Sequence, residues 1–270
     1  MPVADPAIAL GEISLRLATA VREAGALALG KFGAPIRNWI KGANSPVCEA
    51  DVEVDLLLRE RLTRDTPDYG WLSEESVDDP ARLAARRVWV VDPIDGTRGF
   101  INGHPDWAIS AALVEEGRPV VAVLFAPVSD EMLVAVRGEG ATRNGQPVTS
   151  SADDRLEGAR FAGPERRLDR LAALVPQIER VPKIHSLALR IARVATGTLD
   201  AALAGPNSHD WDLAAADLLV HEAGGALTSL DGRPPTYNRA DPVHGALFAA
   251  GRARHATLMA VVRGRKADFV

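Results

Sequence analysis

Four short runs rich in β-branched and aromatic residues follow one another between residues 86 and 136, and they constrain the fold more than any other feature of the chain. The first, residues 86–92 (RRVWVVD), stops at the breaker cluster DPIDGT. The next three are residues 107–114, 119–125 and 131–136, separated by turns that carry Glu-Gly or Pro. Connections this short join antiparallel neighbours, because a parallel pair needs a crossover of a dozen or more residues. An antiparallel meander is therefore expected, closed by the turn-rich segment GEGATRNGQPV.

The flanks follow other periods. Residues 10–32 place Ile13, Leu15, Leu17, Ala18, Val21, Ala24 and Leu27 at helical spacing, predicting a long amphipathic helix that ends near Gly30. A loop is expected next, with Pro35, Gly42, Asn44 and Pro46, and then a second helix over residues 51–64 with Val54, Leu57, Leu58 and Leu62 on one face. The polar stretch 149–156 makes the best boundary. Beyond it, helices are predicted over 170–180, 187–194, 213–223 and 254–263, and strands over 198–203, 227–230 and 246–250. Gly224-Gly225 stops the third of those helices. Such alternation implies α/β layers. The expected organisation is an N-terminal α+β half, residues 1–150, and a C-terminal α/β half, residues 151–270.

Composition narrows the function classes. With 31 Lys+Arg against 36 Asp+Glu the net charge is −5, which argues against a nucleic-acid coat or a polybasic membrane binder. The single cysteine, Cys48, rules out an internal disulfide and a cysteine-based zinc site. No apolar run approaches the ~18 residues of a membrane span, and MPVADPAIALGEIS lacks the basic and apolar regions of a signal peptide. A cytoplasmic protein is expected.

Acidic residues fall at the ends of the predicted elements: Asp51 (EADVEVD), Glu74 and Glu75 (WLSEES), Asp92 and Asp95 (DPIDGT), and Asp212 (HDWD). Singly, each has an ordinary explanation. Asp212 lies in a first helical turn, with Ser208 or Asp210 as N-cap, where a carboxylate favours the helix dipole. Asp95 sits in a Pro-Ile-Asp-Gly turn. Together they say more. Three or four converging carboxylates cannot all stay ionised unless cations neutralise them. Oxygen-only ligands select a hard cation such as Mg²⁺. Backbone N–H groups of Gly96 and Thr97 could receive a phosphate, and two metals about 3.5–4 Å apart suit in-line displacement at phosphorus.

The set Asp51, Glu74-Glu75, Asp92-Pro93-Ile94-Asp95-Gly96-Thr97, Trp211-Asp212, eleven residues and Gly224-Gly225 resembles the lithium-sensitive, Mg²⁺-dependent phosphomonoesterases of the inositol monophosphatase superfamily. The resemblance runs from about Asn44 to Gly225. It implies a layered αβαβα sandwich, and two or three Mg²⁺ ions with Li⁺ or Ca²⁺ inhibitory. Glu74, Asp92 and the Ile94 carbonyl would hold the first ion, and Asp92, Asp95 and Asp212 the second. Asp51 and Thr97 would orient and help deprotonate the attacking water, with Glu75 behind the ligands. Gly96 and Thr97 would cradle the phosphate, and Asp212 would also touch substrate. The partner implied is a small phosphorylated metabolite, not a nucleic acid or a membrane. Relatives are often homodimers.

The substrate within that superfamily is read from the segment before Trp-Asp. Inositol monophosphatases carry a Glu there, whereas this chain has Ala204 and Gly205. Gly205-Pro206 followed by small polar residues, and the stretch Ser45-Pro46-Val47-Cys48-Glu49-Ala50-Asp51, look more like the 3'(2'),5'-bisphosphate nucleotidases, the CysQ group. In that group Thr usually stands at the place of Cys48. Arg190 and His209 are the substrate contacts this reading adds, against the alternatives of a surface ion pair and a packing residue. Inositol-1-monophosphatase and histidinol-phosphate phosphatase are the alternatives, the latter through a resemblance at Arg98-Gly99-Phe100 and Gly103-His104-Pro105-Asp106-Trp107, although that group often departs from the Trp-Asp retained here. A non-enzymatic alternative is the extragenic-suppressor type, which assists RNA processing. Trp89, Trp107 and Trp211 are expected to anchor the core, Cys48 to fill it, and His185 and His221 to be structural.

Overall fold

Helix α1 (Leu10–Leu29) buries Ile13, Leu17, Val21, Ala24 and Ala28, the stripe its spacing demands. The computed structural model describes residues 9–42, 45–265 and 268–269; Asn44 and the first eight residues, on which the lack of a leader was read, lie outside them. An antiparallel hairpin follows α1, β1 (Asn38–Lys41) with β2 (Ser45–Cys48), where a loop was expected. Its first strand carries Trp39 and Ile40 to the surface, so no alternation of burial marks it in the sequence. Helix α2 (Glu49–Thr63) packs beside α1.

The meander forms as predicted. It comprises β3 (Gly70–Ser73), β4 (Arg87–Asp95), α3 (Thr97–Ile101), β5 (Ala108–Glu115), β6 (Arg118–Ala126), β7 (Glu131–Val136), β8 (Gly140–Arg143) and β9 (Gln146–Val148). The strands form a seven-stranded sheet in that order, with only β3 and β4 parallel. Strand β4 is buried on both faces, which is why it reads as a continuous apolar run. It does not stop at Asp92: it continues to Asp95 through a register shift, so the DPID residues form a bulged strand end.

The second half runs β10 (Arg160–Ala162), α4 (Glu165–Leu174), β11 (Glu179–Arg180), α5 (Leu187–Ala195), β12 (Ala201–Ala204), β13 (Ser208–His209), α6 (Asp210–Glu222), β14 (Gly225–Ser229), β15 (Val243–His244), β16 (Leu247–Gly251) and α7 (Arg252–Val262). Helix α4 ends before Pro176; it starts five residues and ends six residues earlier than the helix expected over 170–180. A mixed five-stranded sheet has the order β11-β10-β12-β16-β14. Helices α5 and α6 lie between the two sheets, α1 and α2 cover the outer face of the larger one, and α4 and α7 that of the smaller. These five layers are the αβαβα sandwich. Three apolar cores fill the gaps, and the central one draws on both sheets, from Leu72 to Ala249. Helix α6 buries Leu213, Ala214, Ala215, Ala216, Leu218, Leu219 and Val220 because a sheet covers it on each side. Among the described residues, no helix is long and apolar enough to cross a membrane.

The segment 149–159, which carries no helix or strand, crosses the end of β16 closely. A Cβ on Gly251 would collide with the Ser151 carbonyl oxygen. Gly251→Ala is therefore expected to cost about 1–3 kcal/mol by overpacking against backbone. Thermal denaturation checks this, and an unchanged melting temperature would contradict it.

Candidate active site

Asp51 and Asp212 reach the site by the same local device. Each is the third residue of its helix, and each carboxylate accepts a hydrogen bond from the backbone amide of the N-cap, Cys48 N at 2.9 Å and His209 N at 2.6 Å. This is the capping box, which fixes the acid's rotamer and sends one oxygen forward. The N-cap of α6 is thus His209, not Ser208 or Asp210. Asp210 is fully buried and accepts instead from His244 Nε2 at 2.6 Å and Asn238 N at 2.7 Å.

The bulged end of β4 supplies the middle of the site. Asp92 Oδ1 accepts from the Ile94 amide at 3.1 Å. Asp95 Oδ2 accepts from Ser186 Oγ and from Ala188 N at 2.6 Å, so the start of α5 holds it from the other half of the chain. Gly96 turns the chain at φ +95°, and a Cβ there would meet Ser186 N at 3.1 Å; both facts require glycine. Thr97 Oγ1 lies 2.9 Å from Asp51 Oδ1 and 2.9 Å from the Ile94 carbonyl oxygen. With one proton, it donates to one of them at a time.

One carboxylate oxygen each of Asp92, Asp95 and Asp212 falls within 4.8 Å of the others. Burial, reinforced by Glu74, Asp95, Asp212 and Asp51, pushes Asp92 well above the usual carboxylate range. Burial and the neighbouring Asp95 do the same to Asp212. Burial raises Asp95 to about 6 against the pull of Ser186 and the α5 amides. It also raises Asp51, whose partners Cys48 and Thr97 oppose it. Crowded, buried, oxygen-only donors of this kind fit a hard divalent cation, which relieves the repulsion that otherwise protonates them.

The remaining predicted residues divide. Glu74 joins the acids electrostatically and sits 3.3 Å from Lys41 Nζ. Glu75 turns to the same lysine, at 2.5 Å; burial raises it to about 7 although Lys41 lowers it. Arg190 is not the surface ion pair that was weighed for it. Its Nε is shielded from solvent and has no hydrogen-bond partner among the described residues. Burial lowers its pKa, opposed by the charges of Asp95 and Asp212. His209 is half-buried and stacks on Trp211 at 4.5 Å and 5°. Trp89 and Trp107 are core residues as expected, but Trp211 is only partly buried against the central core.

Three further residues were not foreseen. Ser186 clamps Asp95, Lys41 bridges Glu74 and Glu75, and Cys48 Sγ donates to Asp51 Oδ2 at 2.7 Å. Burial beside Asp51 pushes the thiol to about 12, so it stays protonated and donates. Only the last had a sequence signal: a polar side chain three residues ahead of a carboxylate at a helix start.

The model of the inositol monophosphatase family matches residues 12–266. A histidinol-phosphatase of Mycobacterium tuberculosis is 39% identical over 235 residues, 82% of this chain and 88% of that protein. A 3'(2'),5'-bisphosphate nucleotidase CysQ of Aggregatibacter actinomycetemcomitans is 31% identical over 224 residues, 78% of this chain and 82% of its own length. The crystal structure of the extragenic suppressor protein suhB of Bartonella henselae superposes with a TM-score of 0.84 at 27% identity, covering 94% of this chain and 99% of that one. This family is metal-dependent, and the acidic cluster assembled here could hold a metal ion. The chain is a phosphoric monoester hydrolase and belongs to the inositol monophosphatase family.

Proposed function

We propose that the enzyme removes the 3'-phosphate of a nucleoside 3',5'-bisphosphate, adenosine 3',5'-bisphosphate first among them, with Mg²⁺. The observation that carries the reading is Arg190: a guanidinium with a shielded, unpartnered Nε under the influence of Asp95 and Asp212. A shielded N–H left without an acceptor is costly, and an oxygen of a second phosphate on the substrate would satisfy it. The positions Ala204 and Gly205, where an inositol-binding Glu would be needed, carry no carboxylate. His209, stacked on Trp211 at the start of α6, would contact the same substrate.

Glu74, Asp92, Asp95, Asp212 and the Ile94 carbonyl would hold Mg²⁺. When bound, the ions supply charge neutralisation at the phosphate and acidify the attacking water. The chain's own part is to place and relay. Asp51 accepts from Thr97 Oγ1, so the pair can take the proton of a water attacking in line. The Gly96 and Thr97 amides would hold the phosphate oxygens. The ester oxygen leaves as the alcohol, its proton supplied by solvent, with no covalent intermediate on the protein.

A second reading, histidinol phosphate, is favoured by the 39% identity to a histidinol-phosphatase. Comparison of kcat/KM for adenosine 3',5'-bisphosphate, histidinol phosphate, inositol 1-phosphate and fructose 1,6-bisphosphate separates them. The bisphosphate is expected to lead, and Arg190→Ala to lower its kcat/KM more than that of inositol 1-phosphate. If histidinol phosphate leads by about tenfold, ~1.4 kcal/mol of transition-state preference, the first reading is replaced by the second.

A further inference from the structure

We propose that His104, Asp106 and His185 form a second cation site, separate from the acidic cluster and selective for a borderline transition metal such as Zn²⁺ rather than Mg²⁺. One side-chain ligand atom from each lies within 4.8 Å of the other two. They come from different segments: the turn after α3 supplies His104 and Asp106, and the residue just ahead of the α5 N-cap supplies His185. Two imidazoles and one carboxylate make a donor set that Zn²⁺, Co²⁺ or Fe²⁺ accepts with open positions left for water. Mg²⁺, which prefers oxygen, has little use for it.

The carboxylate already orders one ring. Asp106 accepts from the His185 backbone amide, and its oxygens lie 2.9 and 3.0 Å from His185 Nδ1. With the proton on Nε2, the lone pair of His185 Nδ1 faces the Asp106 carboxylate, so an ion can take the place of the hydrogen bond and be shared by Nδ1 and one Asp106 oxygen. His104 stacks on His185, with ring centroids 4.2 Å apart and planes 20° from parallel. Its nitrogens therefore run beside those of His185 instead of pointing at one place. His104 is exposed, and rotation about its side-chain bonds turns it toward a shared ion. The position is close-packed behind: a Cβ on Gly99 would meet His185 Cβ at 2.8 Å.

The site shares a loop with the acidic cluster without sharing a ligand. Asp106 O accepts from Ser186 N at 3.0 Å, and Ser186 Oγ donates to Asp95. An ion here would brace the turn at residues 103–106 against the segment that holds Asp95.

Co²⁺ titration of the full-length enzyme in excess Mg²⁺ tests the site, because nitrogen-ligated Co²⁺ of low coordination number absorbs far more strongly in the visible than six-coordinate, all-oxygen Co²⁺. The wild type is expected to show a strong band that saturates and is displaced by Zn²⁺. His104→Ala, an exposed change that leaves the fold and the Mg²⁺-dependent activity in place, is expected to weaken Co²⁺ binding by about tenfold or more, and Asp106→Asn by about 10–100-fold. A wild type showing only the weak all-oxygen spectrum overturns the proposal. So does a His104→Ala protein that binds Co²⁺ with the wild-type affinity and band.

Discussion

Asp92→Asn is expected to lower kcat/KM by about 10³-fold or more, ~4 kcal/mol of barrier, while raising the melting temperature of the metal-free protein. Both effects have one cause. Asp92 is 1% exposed and faces Glu74, Asp95, Asp212 and Asp51 at once. Its charge is useful only when cations share the space. Without them it is a burden on folding, and the amide removes the charge while keeping the shape. Active sites commonly trade stability for function in this manner.

The same reasoning fixes a pH dependence. Asp95 has an ordinary value of 3.8 and is raised to about 6 in the fold. Between those values the native state keeps a proton that the unfolded chain has lost. Stability of the metal-free protein therefore falls as pH rises through that window, and Asp92 and Asp212 extend the fall upward. Mg²⁺ competes with those protons, so the gain in melting temperature on adding it should grow from pH 5 to pH 8. Melts with and without Mg²⁺, on wild type and Asp92→Asn, check the set. A metal-free wild type that is more stable at pH 8 than at pH 5, or an Asp92→Asn protein with full activity, would contradict the account.

Particular residues show why the sequence was readable where it was. Residues 88–91 of β4 are buried on both faces, and their unbroken apolar run announces that. Asp51 and Asp212 sit three residues after their N-caps, a spacing that places a carboxylate at a helix mouth. The acids at these ends are thus legible as a group, although their convergence depends on the sandwich bringing α2, β4 and α6 together. Other features leave no local trace. The β1–β2 hairpin buries little of β1, so no period marks it. Arg190 stands between Leu189 and Ile191 on a helix covered from two sides, and nothing nearby in sequence says that its Nε is sealed. The Ser186–Asp95 contact joins residues 91 apart. Tertiary packing decides all three.

Asp51→Asn is expected to cut kcat by about 10²–10⁴-fold with KM for substrate and the Mg²⁺ dependence changed far less. Asp51 is not among the three carboxylates that crowd within 4.8 Å. Its oxygens are committed instead to Cys48 on one side and Thr97 Oγ1 on the other. That arrangement makes it an acceptor for a relayed proton, and the neutral amide keeps the shape but donates from its nitrogen where a carboxylate oxygen accepted, and cannot take the proton. Burial raises Asp51 above the usual carboxylate range, which brings it nearer the working pH of a general base. Thr97→Val should act through the same relay, since it removes the hydroxyl and keeps the volume. If Thr97 and Asp51 form one unit, the double variant should lose little more than Asp51→Asn alone, because groups acting together are not additive. Pre-steady-state and steady-state kinetics at saturating Mg²⁺ measure the three proteins. A loss in Asp51→Asn that extra Mg²⁺ restores would make Asp51 a metal ligand instead, and losses that simply multiply in the double variant would break the relay into two independent contributions.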